Sequence, residues 1–130
     1  MHAKHADGER LNDLSGLIIG YAFIVFNTLE VRFLEKVYEN ALTLEVRAAG
    51  LSVMQQYGAR AYYHDVMVGE HFVDLLVEDL HLVELKTVRA LDDAHWMQCT
   101  NYLKATGWQL CVLLNFGKPR LEIKRVVHGL

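Results

Sequence analysis

The chain has 130 residues, which is the size of a single domain that can bury a hydrophobic core. Hydrophobic residues make up 52% of it, charged residues make up 22%, and proline occurs once, so the composition excludes intrinsically disordered, collagen-like and proline-rich proteins. The net charge of −3 excludes a surface that attracts nucleic acid through its average charge, but residues 1–85 carry a net −7 and residues 86–130 a net +4. We therefore expect any site for a polyanion toward the C-terminal half.

The cysteines and the apolar runs bear on the compartment. Cys99 and Cys111 lack the spacing of a CxxC or Cys/His site, so we expect a reduced, cytoplasmic protein without zinc. The longest apolar run, residues 17–26, is much shorter than the roughly 20 residues of a membrane helix, so we expect no membrane association. Residues 1–10 lack the apolar core of a signal peptide and are expected to form a flexible tail.

Helical and strand patterns then follow in chain order. Apolar residues recur at helical spacing over residues 11–28 and 33–49, and Gly50 stands where helices commonly end. A third helix is capped by Asp92 or Asp93, runs to Thr106 and ends at Gly107. Alternating or continuous apolar runs predict strands at residues 51–56, 59–63, 66–68, 72–77, 82–87, 109–115 and 121–127. The expected fold is α/β, a single mixed β-sheet flanked by helices in the order ααββββ(β)αββ.

The segment 71–86 holds the most informative pattern. Residues 78–80 form a natural three-residue hairpin loop. Counting back from this loop places Asp74 opposite Glu84, with Cβ atoms roughly 4.5–5.5 Å apart on one sheet face. Lys86 lies two residues beyond Glu84 and points to the same face. Two carboxylates and an ammonium are therefore predicted to meet inside an apolar hairpin.

Such a cluster needs compensation, because buried like charges cost several kcal/mol each. Asp74 and Glu84 offer the hard oxygen ligands that Mg²⁺ or Mn²⁺ takes, and they leave positions for water and a phosphate. The alternative is a surface hairpin in which Lys86 forms an ion pair with Glu84 or Asp74.

Two helices carry further candidates. Gln98 and Tyr102 are four residues apart and share one helix face, with His95 one turn earlier. Glu35 and Tyr38 are three residues apart near the start of the second helix. The alternatives are an ordinary surface glutamine with a half-buried tyrosine, a helix-surface histidine, and a glutamate that favours the helix dipole.

Together these residues complete a known pattern. Asp74, Glu84-x-Lys86 and Gln98-x-x-x-Tyr102 resemble the PD-(D/E)xK nuclease superfamily, including the QxxxY helix of its exonuclease-like branch. The resemblance to the GxxExxY family of that superfamily lies in residues 33–42, 84–86, 101–107 and 114–125. It covers the chain from about residue 11 to residue 127, and it implies one nuclease-like domain.

Two positions depart from the family pattern. Arg32 stands at the glycine of the family name, and Glu30 stands where a second glycine is expected. Glycine adopts left-handed backbone freely, whereas Glu and Arg do not. The departure predicts a rebuilt loop before Glu35.

The resemblance implies a role for each candidate. Asp74 and Glu84 would hold Mg²⁺ or Mn²⁺, with Glu35 as a further ligand or as a residue that orients a water molecule at the metal. Lys86 would stabilise the attacking hydroxide or the charge that grows on phosphorus. Gln98 and Tyr102 would hold the substrate or a water molecule in place.

Three functions are compatible with this sequence. The first is a metal-dependent nuclease that acts on DNA or RNA, with phosphate contacts from Lys104, Lys118, Arg120, Lys124 and Arg125. The second is a non-catalytic module of nuclease fold that binds a protein or nucleic-acid partner. The third is hydrolysis of a small phosphoester at the same site. We expect no separate specificity domain in a chain of this size, and we therefore expect that it can act as a homodimer or with a protein partner.

Overall fold

A computed structural model describes residues 8–129, in which helices enclose one β-sheet. Five strands in this part of the chain pair in the order β1-β2-β3-β4-β5, and every pair is antiparallel except β3 with β4. The helix between β3 and β4 is the crossover that a parallel pair requires. The elements are α1 (Gly8–Leu29), α2 (Glu35–Ala48), β1 (Val53–Tyr63), β2 (Val66–Val77), β3 (His81–Lys86), α3 (Asp93–Thr106), β4 (Leu110–Asn115) and β5 (Glu122–Val127).

The mixed sheet with flanking helices confirms the predicted fold class, but the number of strands differs. The segments 51–56 and 59–63 belong to one strand, β1, and the segments 66–68 and 72–77 belong to β2. The apolar pattern is broken at Gly58 and Gly69, yet the backbone pairing continues through both. A turn at His64 and Asp65, both left-handed, joins the two strands.

The start of the chain also differs from the prediction. Helix α1 begins at Gly8, so residues 8–10 of the predicted tail are helical. The predicted tail at residues 1–7 lies outside the described residues. Helix α1, with a mean hydropathy of 1.2, is long and apolar enough to cross a membrane by length and composition alone. Core helices of soluble proteins can be equally long and apolar. One face of α1 is buried in the core, through Leu11, Leu14, Ile18, Ala22 and Val25.

The core has two layers, one on each face of the sheet. One layer packs α1 and α2 against the sheet around residues such as Leu42, Leu75 and Leu85. The other packs α3 against the opposite face, around Leu82 and Leu103. Strands β3 and β4 lie between both layers and are buried almost throughout, as their continuous apolar runs predict.

Helix α1 is tied to the sheet by a buried histidine to which the sequence assigned no role. The Nε2 atom of His81, at the start of β3, lies 2.8 Å from the carbonyl oxygen of Leu11. Burial lowers the pKa of His81, so the ring is neutral at physiological pH and one of its nitrogens bonds to the helix.

Candidate active site

The hairpin of β2 and β3 brings the central carboxylates together. The three-residue loop pairs Val77 with His81, as the sequence register predicts, and the backbone ladder runs back to Leu75 and Val83. The next pair of residues along the strands is Asp74 and Glu84. Both side chains are buried, at 7% and 3% exposure respectively.

Side chains replace the backbone ladder at this pair. The backbone N–H of Asp74 donates to Glu84 Oε1 at 3.2 Å, and the N–H of Leu85 donates to Asp74 Oδ2 at 2.7 Å. Each carboxylate therefore satisfies an N–H of the opposite strand, which fixes both groups between the two strands. Lys86 Nζ lies 3.7 Å from Glu84 Oε2, so the predicted cluster of two carboxylates and one ammonium is present.

Burial and mutual repulsion shift both carboxyl groups toward the neutral form. The pKa of Glu84 is raised to about 8, chiefly by burial and then by the charge of Asp74, while Lys86 opposes the shift. Burial likewise raises the pKa of Asp74. Two negative charges are unfavourable at this buried pair, so the two carboxyl groups favour the uptake of a proton. A bound cation could compensate the same negative charge in place of the proton.

Glu35 lies at the N-terminal end of α2 and faces this cluster. Its pKa is raised, first by burial and then by the charge of Asp74. Within residues 8–129, however, no three His, Cys, Asp or Glu side chains come close enough together to hold a metal ion. The available metal ligands are therefore the two carboxylates of Asp74 and Glu84. The role of Glu35 as a third ligand stays a prediction.

Helix α3 contributes one of its two candidates directly. The Tyr102 hydroxyl donates to Glu84 Oε2 at 3.1 Å, and burial followed by the charge of Glu84 raises the pKa of Tyr102. The tyrosine ring stacks on the imidazole of His71, with centroids 4.9 Å apart. Gln98, half-buried one turn earlier, lies on the same helix as Tyr102. His95 instead belongs to the capping box of α3 with Asp92, so its position is structural.

Two residues that the sequence analysis did not single out connect α2 to the cluster. Glu39 is buried and accepts from Gln56 Nε2 at 3.0 Å and from Lys36 Nζ at 3.0 Å. Gln56 Nε2 also lies 3.3 Å from Asp74 Oδ1, to which it donates. Glu39 thus orients the amide that contacts Asp74. The sequence signal that could have identified Glu39 is its spacing of four residues from Glu35, which places both side chains on one face of α2.

The backbone of Gln56 is unusual for a strand. The flanking pairs Gln55 with Leu75 and Tyr57 with Val73 place it opposite Asp74, and its φ is 58°. A non-glycine residue in this left-handed region stores strain of the kind that clusters at functional sites. The strained conformation coincides with the hydrogen bond to the central carboxylate.

The loop before α2 corrects the expectation that it is rebuilt. Glu30 and Arg32 have φ values of 62° and 83°, so both keep the left-handed conformation that the missing glycines would favour. The Tyr38 hydroxyl donates to the carbonyl oxygen of Glu30 and accepts from the N–H of Phe33 at 3.3 Å. The Tyr38 ring in turn stacks on Phe116 at 4.6 Å, which anchors the loop on the core.

Comparison with known proteins places the chain in a family. The model of the PD-(D/E)XK nuclease superfamily matches residues 12–126. Among solved structures, an alkaline exonuclease from Laribacter hongkongensis has a similar fold, with a TM-score of 0.54 and 15% sequence identity over 95% of this chain and 72% of that one. No curated protein sequence matches significantly. Because the family model spans nearly all of the sequence, the chain belongs to the PD-(D/E)XK nuclease superfamily.

Proposed function

We propose that this protein is a metal-dependent nuclease of the GxxExxY type, which hydrolyses phosphodiester bonds of DNA or RNA at Asp74, Glu84 and Lys86. The observation that carries the proposal is the buried pair of carboxylates, bridged across two strands, with a lysine ammonium 3.7 Å from one of them. PD-(D/E)XK nucleases generally use divalent metals. Membership of that superfamily makes nucleic acid the substrate to test first.

The residues present fit a divalent cation. Asp74 and Glu84 supply hard oxygen donors, and their raised pKa values indicate a negative charge that a cation would stabilise. Mg²⁺ or Mn²⁺ held there would act as a Lewis acid toward the phosphodiester. Glu35 is proposed as a further ligand or as a group that orients water. It is half-buried, and it lies close enough to Asp74 for the charge of that residue to raise the pKa of Glu35.

The remaining residues position the reaction. The half-buried ammonium of Lys86 would stabilise the negative charge that develops on the phosphoryl oxygens as water attacks phosphorus and the P–O ester bond breaks. Tyr102 fixes Glu84, and Gln56 fixes Asp74, each through one hydrogen bond. Gln98 is proposed to hold the substrate beside Tyr102.

Replacement of Lys86 tests the proposal. Because the ammonium acts mainly on charge that develops in the transition state, we expect Lys86→Ala to lower the cleavage rate about 10²–10³-fold and to leave the fold and metal binding intact. The assay measures cleavage of single- and double-stranded DNA and RNA in Mg²⁺ or Mn²⁺. Arg47→Ala is the matched control, since it also removes one cation but lies at the far end of α2 from Glu35.

Two outcomes would count against the proposal. Equal activity of the wild type and Lys86→Ala would point to a contaminant or to a different site. Absence of both cleavage and metal binding in the wild type would favour the non-catalytic module that binds a protein or nucleic-acid partner.

A further inference from the structure

We propose that the outer surface of α1 and α2 is a homodimer interface, at which a second copy of this chain docks through the same surface across a two-fold axis. The surface consists of the helix faces that lie opposite those packed on the sheet, so the proposal stands apart from the proposed function. Six exposed apolar side chains define it: Leu17, Phe23, Ile24, Leu34, Val37 and Leu44.

Helix α1 lacks the charged solvent face that a surface helix of a monomer normally carries. Residues 14–29 include no charged residue, although Asp13 and Glu30 flank them directly. One side of this segment is buried in the core, whereas the other leaves Leu17, Phe23 and Ile24 between 42% and 49% exposed. A helix that is apolar all round is normally covered on every side. The outer side of α1 therefore has the composition of an interface.

Helix α2 adds an apolar stripe next to α1. Small and large apolar residues recur every three or four positions, at Leu34, Val37, Ala41, Leu44 and Ala48. This spacing places them on one face, opposite the face that is buried in the core. The two helices contact each other and cover the same side of the sheet, so their outer faces form one continuous surface.

The size of this surface fits a second copy of the chain. Its six large side chains are 36–80% exposed. At roughly 150 Å² for a fully exposed large apolar side chain, they leave about 450 Å² per copy and about 900 Å² for two copies. Homodimer interfaces are about 65% apolar and bury roughly 1,200–2,000 Å², which corresponds to about 800–1,300 Å² of apolar area. Two copies docked face to face therefore supply the apolar area of a stable dimer.

The distribution of charge favours a second copy over a lipid surface. An apolar helix that lies on a membrane usually carries Lys or Arg on its polar side. Residues 14–29 of α1 carry neither. Because this part of the surface holds no charged group, two copies can meet there without burying an unpaired charge. A two-fold contact of this kind is the commonest arrangement of soluble homo-oligomers.

Sedimentation velocity of the full chain, in EDTA and without nucleic acid, tests the proposal over a series of protein concentrations. We expect the wild type to sediment with twice the mass of one chain at micromolar concentrations. The Ile24→Lys/Leu44→Lys double variant should raise the dissociation constant at least about 100-fold, because each copy would bury two unpaired charges against the other. Val68→Lys is the matched control: Val68 is about as exposed as Leu44 but lies on β2, so this variant should dimerise like the wild type.

A mixture of oppositely charged variants tests the symmetric contact itself. Ile24→Glu/Leu44→Glu should also be monomeric, and an equal mixture with the lysine double variant should restore the double mass, since the two surfaces then attract each other. Circular dichroism checks that each variant is folded.

Three outcomes would overturn the proposal. The first is a wild type that stays monomeric at every concentration. The second is a dimer that persists in the folded lysine double variant. The third is a monomeric wild type that binds phosphatidylcholine vesicles when the lysine double variant does not, which would give the surface to a membrane.

Discussion

Gln56, Glu30 and Arg32 hold left-handed backbone around the candidate site although none of them is glycine. Each such residue costs roughly 1–2 kcal/mol relative to ordinary backbone. At Gln56 the strain accompanies a hydrogen bond to Asp74, and at Glu30 it accompanies the bond from Tyr38. Arg32 is exposed, so a substitution at this position can remove the backbone strain with the least disturbance of other contacts.

Arg32→Gly should therefore stabilise the protein. Because glycine adopts a φ of 83° without steric cost, we expect the free energy of unfolding to rise by about 1 kcal/mol. Urea denaturation measures this change. Arg47→Gly, in the exposed part of α2, should instead lower the free energy of unfolding by about 1 kcal/mol. Equal losses in both variants would mean that Arg32 makes a stabilising contact that outweighs its strain.

The raised pKa of Glu84 predicts a pH dependence of stability. The pKa of Glu84 is raised from 4.5 to about 8, so the folded protein holds this proton more tightly than the unfolded chain does. The resulting stabilisation is complete below about pH 4.5 and is lost as the pH rises through about 8. In EDTA, the free energy of unfolding of the wild type should thus fall between pH 5 and pH 8.

Glu84→Gln should remove most of that fall, because the amide does not titrate. Denaturation curves at pH 5 and pH 8 measure the effect, and Glu45→Gln on α2 should retain the wild-type difference. Added Mn²⁺ should also reduce the fall in the wild type, since a cation replaces the lost proton. A wild-type protein that becomes more stable from pH 5 to pH 8 in EDTA would contradict the assignment.

At the scale of elements, the ends of β3 and β4 hold the loop that follows Lys86. These strands are parallel, with Lys86 beside Asn115, and the N–H of Phe116 donates to the Lys86 carbonyl oxygen at 2.8 Å. The buried Asn115 side chain accepts from the N–H of Val88 at 3.0 Å and donates to its carbonyl oxygen at 2.9 Å. The position of the lysine therefore depends on the β4 end.

Gly117→Ala should disturb this junction. A Cβ atom at Gly117 would lie 2.5 Å from the backbone of Val88, so the loop must move. We expect a loss of about 1–3 kcal/mol in the free energy of unfolding and a lower kcat, as Lys86 shifts. Denaturation and cleavage kinetics measure the two effects. Gly20→Ala in α1 meets no neighbour within 4 Å and should raise stability by about 0.5–1 kcal/mol.

Across the whole molecule, the sequence predicts those contacts that follow from the spacing of residues within one element or one hairpin. The three-residue loop fixes the hairpin register, so the meeting of Asp74 with Glu84 follows from counting residues. The contact of Gln56, on β1, with Asp74 and that of Glu39, on α2, with Gln56 depend on how these elements pack around the carboxylate pair, which no local pattern encodes. Glu39 and Gln56 were missed for this reason. The continuity of β1 was missed because polar residues and a glycine interrupt its apolar pattern.

Anomalous diffraction from crystals soaked in Mn²⁺ shows whether Asp74 and Glu84 hold a divalent cation. We expect one strong manganese peak within ligand distance of both carboxylates, roughly 2.0–2.3 Å from their oxygens. The peak should be lost in Glu84→Gln crystals and kept in Lys86→Ala crystals. Manganese peaks at other positions only, with none within ligand distance of Asp74 and Glu84, would contradict the proposed cation site.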